Sequence, residues 1–135
     1  MNRRLLAVSL GAVLFVLAIG SIAQAVRHNT SIFANSSGGT SSLSIYGSLT
    51  SPFDNCKKRR VVTASYTSTT GQAVTATDKT DVTGGFRMPS DPVDPTPLPP
   101  AAGPITVSVQ KKRVKPFGEK HICKKKSVPA NPLTF

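Results

Sequence analysis

Few side chains in this sequence are suited to chemistry. There are two cysteines, Cys56 and Cys123, two histidines, His28 and His121, one glutamate, Glu119, and five aspartates. By atom type the cysteines and histidines make a zinc-like donor set. Their spacing argues against one, because structural zinc sites draw ligands in closely spaced pairs and here only His121 and Cys123 are close. Catalysis needs a nucleophile or a metal with an acid or base beside it. No G-x-S-x-G, H-E-x-x-H, P-loop or dinucleotide fingerprint is present. Asp78 and Asp81 sit three residues apart among turn-forming residues, where short acids cap backbone amides. Asp91 and Asp94 lie between prolines and fall short of the six to eight oxygens that calcium takes. The expectation is a protein without catalytic residues, metal, cofactor or small-molecule substrate.

The fate of the cysteines depends on the compartment, and the beginning of the chain addresses that. Arg3 and Arg4 precede an apolar run from Leu5 to Gly20, broken only by Ser9, and Ala23-Gln24-Ala25 supplies small residues at the positions a signal peptidase reads. Residues 1–25 are therefore expected to be a signal peptide, helical in its apolar run. If it is not cleaved, Leu5 to Ile22 is just long enough to cross a bilayer, at about 1.5 Å per helical residue, and becomes a membrane anchor. Either outcome places the remainder in a secreted or cell-envelope location. In an exported chain an even pair of cysteines reads as a disulfide, Cys56 to Cys123. On the chain-entropy argument, closing that loop is worth roughly 4 kcal/mol.

The chain beyond residue 25 is one domain by length. Residues 26–42, rich in Asn, Ser, Gly and Thr, are expected to form a flexible leader. Alternation begins at Leu43, with Leu43, Ile45, Gly47 and Leu49 on one face, and resumes at Val62, Ala64 and Tyr66. Gln72 to Thr77 and Phe86 to Met88 read as short strands, and Ile105, Val107 and Val109 alternate cleanly. Lys111 to Lys115 read as a continuation of that strand, His121 to Cys123 as a last one, and residues 129–135 as a C-terminal tail. Seven prolines in the sixteen residues 89–104 exclude a helix or central strand there and predict a stiff loop. No segment after residue 25 has a helical period. The fold class expected is all-β, a small Greek-key-like sandwich of about seven strands spanning 43–128.

The stretch Thr80-Asp81-Val82-Thr83-Gly84-Gly85-Phe86 has the form T-D-x-x-G-x-F. With Ile45-Tyr46-Gly47-Ser48-Leu49 before it and Gly103-Pro104-Ile105-Thr106-Val107-Ser108-Val109 after it, the order resembles the carboxypeptidase regulatory-like domains and other transthyretin-like (prealbumin-like) sandwiches. A cysteine before the second strand and another near the end are similar to a secreted bacterial subgroup. The resemblance covers roughly Leu43 to Val114 and implies a transthyretin-like fold with a structural role for Asp81, Gly84 and Phe86. It implies no catalysis: the urate-pathway hydrolase of that fold carries His- and Arg-bearing motifs that have no counterpart here. The sequence departs from the pattern in its long Pro-rich insert.

The chain is strongly basic, with 17 Lys and Arg against 6 Asp and Glu and a formal net charge of +11. The cations fall in three clusters: Lys57, Lys58, Arg59 and Arg60; Lys111, Lys112 and Arg113, running on to Lys115; and Lys120 with Lys124, Lys125 and Lys126. A disulfide between Cys56 and Cys123 would bring the first and last together as a candidate anionic-ligand patch. The partner expected is an anionic cell-envelope polymer or a lipid surface, or else a protein partner for the Pro-rich loop. Nucleic acid is not expected, since no aromatic residues interleave with the charges. Function is therefore expected to be a structural or binding role at the envelope or outside the cell, with polyanion or membrane-surface binding as the alternative.

Overall fold

The computed structural model describes residues 24–90, 93 and 96–132; the expected signal peptide up to residue 23 lies outside them. The protein is all-β and has two facing four-stranded sheets. Its strands in chain order are β1 (Val26–His28), β2 (Ser31–Gly38), β3 (Leu43–Thr50), β4 (Val61–Thr67), β5 (Ala73–Lys79), β6 (Gly85–Met88), β7 (Thr106–Val109), β8 (Lys112–Val114), β9 (His121–Cys123), β10 (Lys126–Pro129) and β11 (Asn131–Pro132). One sheet runs β11-β2-β3-β6 and the other β10-β7-β4-β5. A third, small sheet, β1-β9-β8, sits beside them.

The core follows from period-2 alternation. Leu43, Ile45 and Leu49 of β3, with Phe86 and Met88 of β6, face Val62, Ala64 and Tyr66 of β4 and Val107 and Val109 of β7, all of them buried. Gly47 lies opposite Ala34 and Phe86. A Cβ there would come within 2.8 Å of the tip of the Phe86 ring and into the Phe33 backbone carbonyl, so this row admits only a small residue. Complementary small and large residues across one row keep the interior close-packed.

Two segments differ from the sequence reading. Residues 26–42 are not a flexible leader: they contain β1 and all of β2, which pairs with β3 from Ser31↔Thr50 to Gly38↔Leu43. The inward positions of β2 are Ile32, Ala34 and Ser36, and two small residues of three leave almost no apolar signal. Small residues suit this face because Ala34 adjoins Gly47 in the row that Phe86 fills. The expected tail is also built in as far as Pro132. β10 pairs with β7, Ala130 is buried and its N–H donates to the Ile105 carbonyl at 2.8 Å, and β11 adds in parallel to β2. Pro129 and Pro132 read as strand breakers, yet both fall on edge strands, where proline is tolerated.

The third difference is at Lys111. The strand of Val107 and Val109 ends, and β8 belongs to the small sheet rather than continuing β7. Extra strands in the leader and tail, together with this split, take the count of strands past the expected seven. In the Pro-rich loop, residues 91–92 and 94–95 lie outside the described residues. Its later half is tied to the sandwich: Leu98 bridges Leu43, Ala101 bridges Ser68, and the Pro99 carbonyl accepts a 2.7 Å hydrogen bond from the Tyr66 hydroxyl. Burial pushes the Tyr66 phenol above its ordinary range.

Candidate basic binding surface

The basic residues are positioned by three devices. The first is the disulfide between Cys56, in the short 3-10 turn Asp54–Cys56, and Cys123 at the end of β9, with Cα atoms 5.3 Å apart. The second is the small sheet, in which Arg27, Ile122 and Arg113 form one cross-strand row and His28, Cys123 and Lys112 the next. Successive rows point to opposite faces. Cys123 is therefore turned in to the disulfide, while Arg27 and Arg113 are exposed on the other face.

The third device is Arg60. Its place in a basic run groups it with the anionic-ligand patch, but it is only 2 % exposed and faces inward. Its guanidinium donates to the carbonyls of Cys56 (2.7 Å), Gln110 and Lys124 (3.3 Å) and to Thr30 Oγ1 (3.4 Å). Arginine presents five donors in a fixed fork, and here that fork joins four connecting segments around one point. Burial lowers its pKa. The contact with Gln110 lies just where the chain leaves β7. Arg60 is thus a structural clamp, unavailable to a surface ligand.

The other patch residues, Lys57 excepted, come together in neighbouring groups. Lys58, Arg59 and Lys112 border one depression, and Lys112 Nζ lies 3.3 Å from the Lys58 carbonyl. Burial, and then Arg60, Arg59, Lys58 and Lys79, hold the Lys112 amine below its ordinary pKa. Arg27, Lys111, Lys124 and Lys125 line a second depression, and Lys125 and Lys126 a third with Gln110. Arg113, Lys115 and Lys120 line a fourth beside Ala25. Carboxylates near them are sparse. Among the described residues Lys57 pairs with Asp54 at 2.8 Å, and His121 Nε2 lies 3.5 Å from Glu119 Oε2. The Lys57 hydrogen bond and charge hold the Asp54 carboxyl below its usual range.

Two further carboxylates serve the backbone. Asp81 Oδ1 accepts from Thr83 Oγ1 (2.7 Å), Thr83 N (2.8 Å) and Gly85 N (2.9 Å), and these bonds, the Thr83 hydroxyl first, lower its pKa. Gly84 takes φ +95°, in the left-handed region, and lets the chain turn into buried Phe86. Asp78 Oδ2 accepts from Arg87 N at 2.7 Å, satisfying an amide of β6, an edge strand. These two aspartates border an open groove of about 790 Å³ that Phe33 and Tyr46 also line.

Sequence reasoning missed two features. His28, assigned to the leader, lies in β1 with its Nε2 2.8 Å from His121 Nδ1, and the Phe53 ring stacks on both imidazoles at centroid distances of 4.5 and 4.3 Å. The period-2 spacing of Val26 and His28 was the available signal, and three residues are too few to carry it. Among the described residues no group of three His, Cys, Asp or Glu side chains is arranged to hold a metal. The second is the exposed ring in the loop between β8 and β9; the turn that Pro116-Phe117-Gly118 predicts is present there, as a 3-10 turn at Pro116–Gly118. Phe117 stands there fully exposed with φ +54°. Its Pro-Phe-Gly sequence signalled a turn but not the direction of the ring.

No family model, no curated protein and no solved structure matches this chain.

Proposed function

We propose that the protein is an exported, non-enzymatic β-sandwich of the transthyretin-like type, and that its working surface is the basic end built on the β1-β9-β8 sheet. The ligand is a polyanion of the cell envelope, carrying phosphate or carboxylate groups. The observation that supports this most is the convergence of the three cationic clusters on one end with few carboxylates among them. Like charges in proximity oppose folding, and after burial it is the neighbouring cations that hold the Lys112 amine below its ordinary pKa. Their accumulation is thus better accounted for by an external anion than by stability. A disulfide linking the first and third clusters fits an extracytoplasmic protein.

Binding of the exported protein to polyglycerol phosphate at low and raised ionic strength tests this. The proposal predicts measurable affinity at low salt that falls steeply as salt displaces the bound counter-charges. Negligible binding at low salt, or binding indifferent to salt, would refute it.

A further inference from the structure

We infer that the β8–β9 loop is a membrane-docking tip, in which the Phe117 ring enters the interface of an anionic bilayer and the surrounding cations contact lipid phosphates. The inference rests on the reading of the basic end as an anion-binding surface and names the anion as lipid.

Phe117 is fully exposed and holds a left-handed φ of +54°, between Pro116 and Gly118, which is itself at +84°. A bulky residue rarely adopts that region, and such strain is found chiefly where local geometry serves a site. The turn holds the phenyl ring out in water, where burial in an apolar phase would be favourable. A soluble polymer of sugars or phosphates has no apolar interior to receive it. A bilayer does, and aromatic rings are favoured at its interface.

The charges around the ring agree. Arg113 and Lys115 lead into the turn and Lys120 leads out of it, all three exposed. Glu119, the one acid of the loop, faces His121 at 3.5 Å. Basic residues close to an anionic surface draw a protein onto it, and an inserted ring then holds it there.

The strand register adds an independent argument. β1 runs parallel to β9, and Val26, His121 and Val114 share a row. Val26 N donates to the Lys120 carbonyl at 3.0 Å. The start of β1 is therefore at the tip end of the sheet, and Ala25 borders the same depression as Arg113, Lys115 and Lys120. The apolar run Leu5 to Ile22 ends three residues before Ala25. If that run stays in the bilayer, the chain leaves the membrane beside Phe117. If it is removed after Ala25, the new α-ammonium of Val26 adds a positive charge at the same place.

The sequence contains no tryptophan, so Phe117→Trp makes a single reporter. The full-length chain is expressed with export and used in the form recovered, processed or not, with vesicles of equal parts phosphatidylglycerol and phosphatidylcholine. Phe33→Trp, on the outer face of β2 and 58 % exposed, is the companion reporter away from the tip. The inference predicts that the indole of Phe117→Trp shifts to the blue and is quenched by acyl-brominated lipid, while that of Phe33→Trp is unaffected. In processed protein, Phe117→Ser should weaken vesicle partitioning by about tenfold. Vesicle binding that leaves the Phe117→Trp indole open to iodide and unquenched by the brominated lipid would overturn the docking tip and leave the polyanion proposal standing. Equal quenching of both reporters would overturn the orientation. Absence of binding to both vesicles and polyglycerol phosphate would remove both proposals.

Discussion

Arg60 and Asp81 show how polar side chains hold this protein together at single points. Arg60 neutralises no carboxylate; its guanidinium serves carbonyl oxygens from three segments that no regular ladder satisfies. Replacing it with methionine keeps much of the packing volume but leaves those carbonyls without their donor. Buried acceptors left unpaired cost about 1–3 kcal/mol each. Arg60→Met should therefore destabilise the protein by about 3 kcal/mol or more, read as a lowered urea midpoint. Arg59→Met, at an exposed neighbour, should shift stability by less than about 0.5 kcal/mol. Asp81 makes a pH-dependent contribution. Its folded pKa is depressed by bonds to its ionised form, so the stabilisation is present above the unfolded pKa and is lost as pH falls through the folded one. Asp81→Asn should be less stable than the parent at neutral pH, and the difference should close on titration into strong acid. A difference constant with pH would show that ionisation of Asp81 does not matter.

At the scale of elements, the strands with large apolar residues on one face were legible in the sequence. β3, β4 and β7 alternate because their inner positions hold Leu, Ile, Val and Tyr. β2 was illegible for the opposite reason: its inner face carries Ala34 and Ser36 beside Gly47, and small residues give no periodic signal. β10 and β11 were hidden by prolines that only an edge position tolerates. The small sheet was hidden by length, since three-residue strands cannot establish a period. Its stability depends on the disulfide at one end and on Arg60 at its connections. Reduction of Cys56–Cys123 should destabilise the protein by roughly 4 kcal/mol at most on the chain-entropy argument. Hydrogen exchange would show where the loss falls: amides of β8 and β9 should lose protection first, while β3, β4 and β7 stay protected. Uniform loss across all strands would indicate that the small sheet and the sandwich unfold as one unit.

At the scale of the whole molecule, the distribution of charge is the feature that the fold creates from a scattered sequence. The clusters were visible as runs of Lys and Arg, and the pairing of Cys56 with Cys123 was enough to anticipate that the outer two converge. That Lys112 and Arg113 join them depends on the chain leaving β7 at Gln110, which no local pattern announces. The inward turn of Arg60 was equally hidden, because a basic residue in a basic run gives no sign of burial. The result is a molecule with an apolar sandwich at its centre, an open groove with engaged aspartates over β2, β3 and β6, and a cationic end presenting Phe117. The central claim is that this cationic end, rather than the groove, meets the ligand. The most direct test is a titration of the isotope-labelled protein with short polyglycerol phosphate, followed by amide chemical shifts. The account predicts shifts concentrated at Arg27, Lys111 to Lys115 and Ile122 to Lys125. Shifts centred on Phe33, Tyr46 and Arg87, or none at low salt, would contradict it.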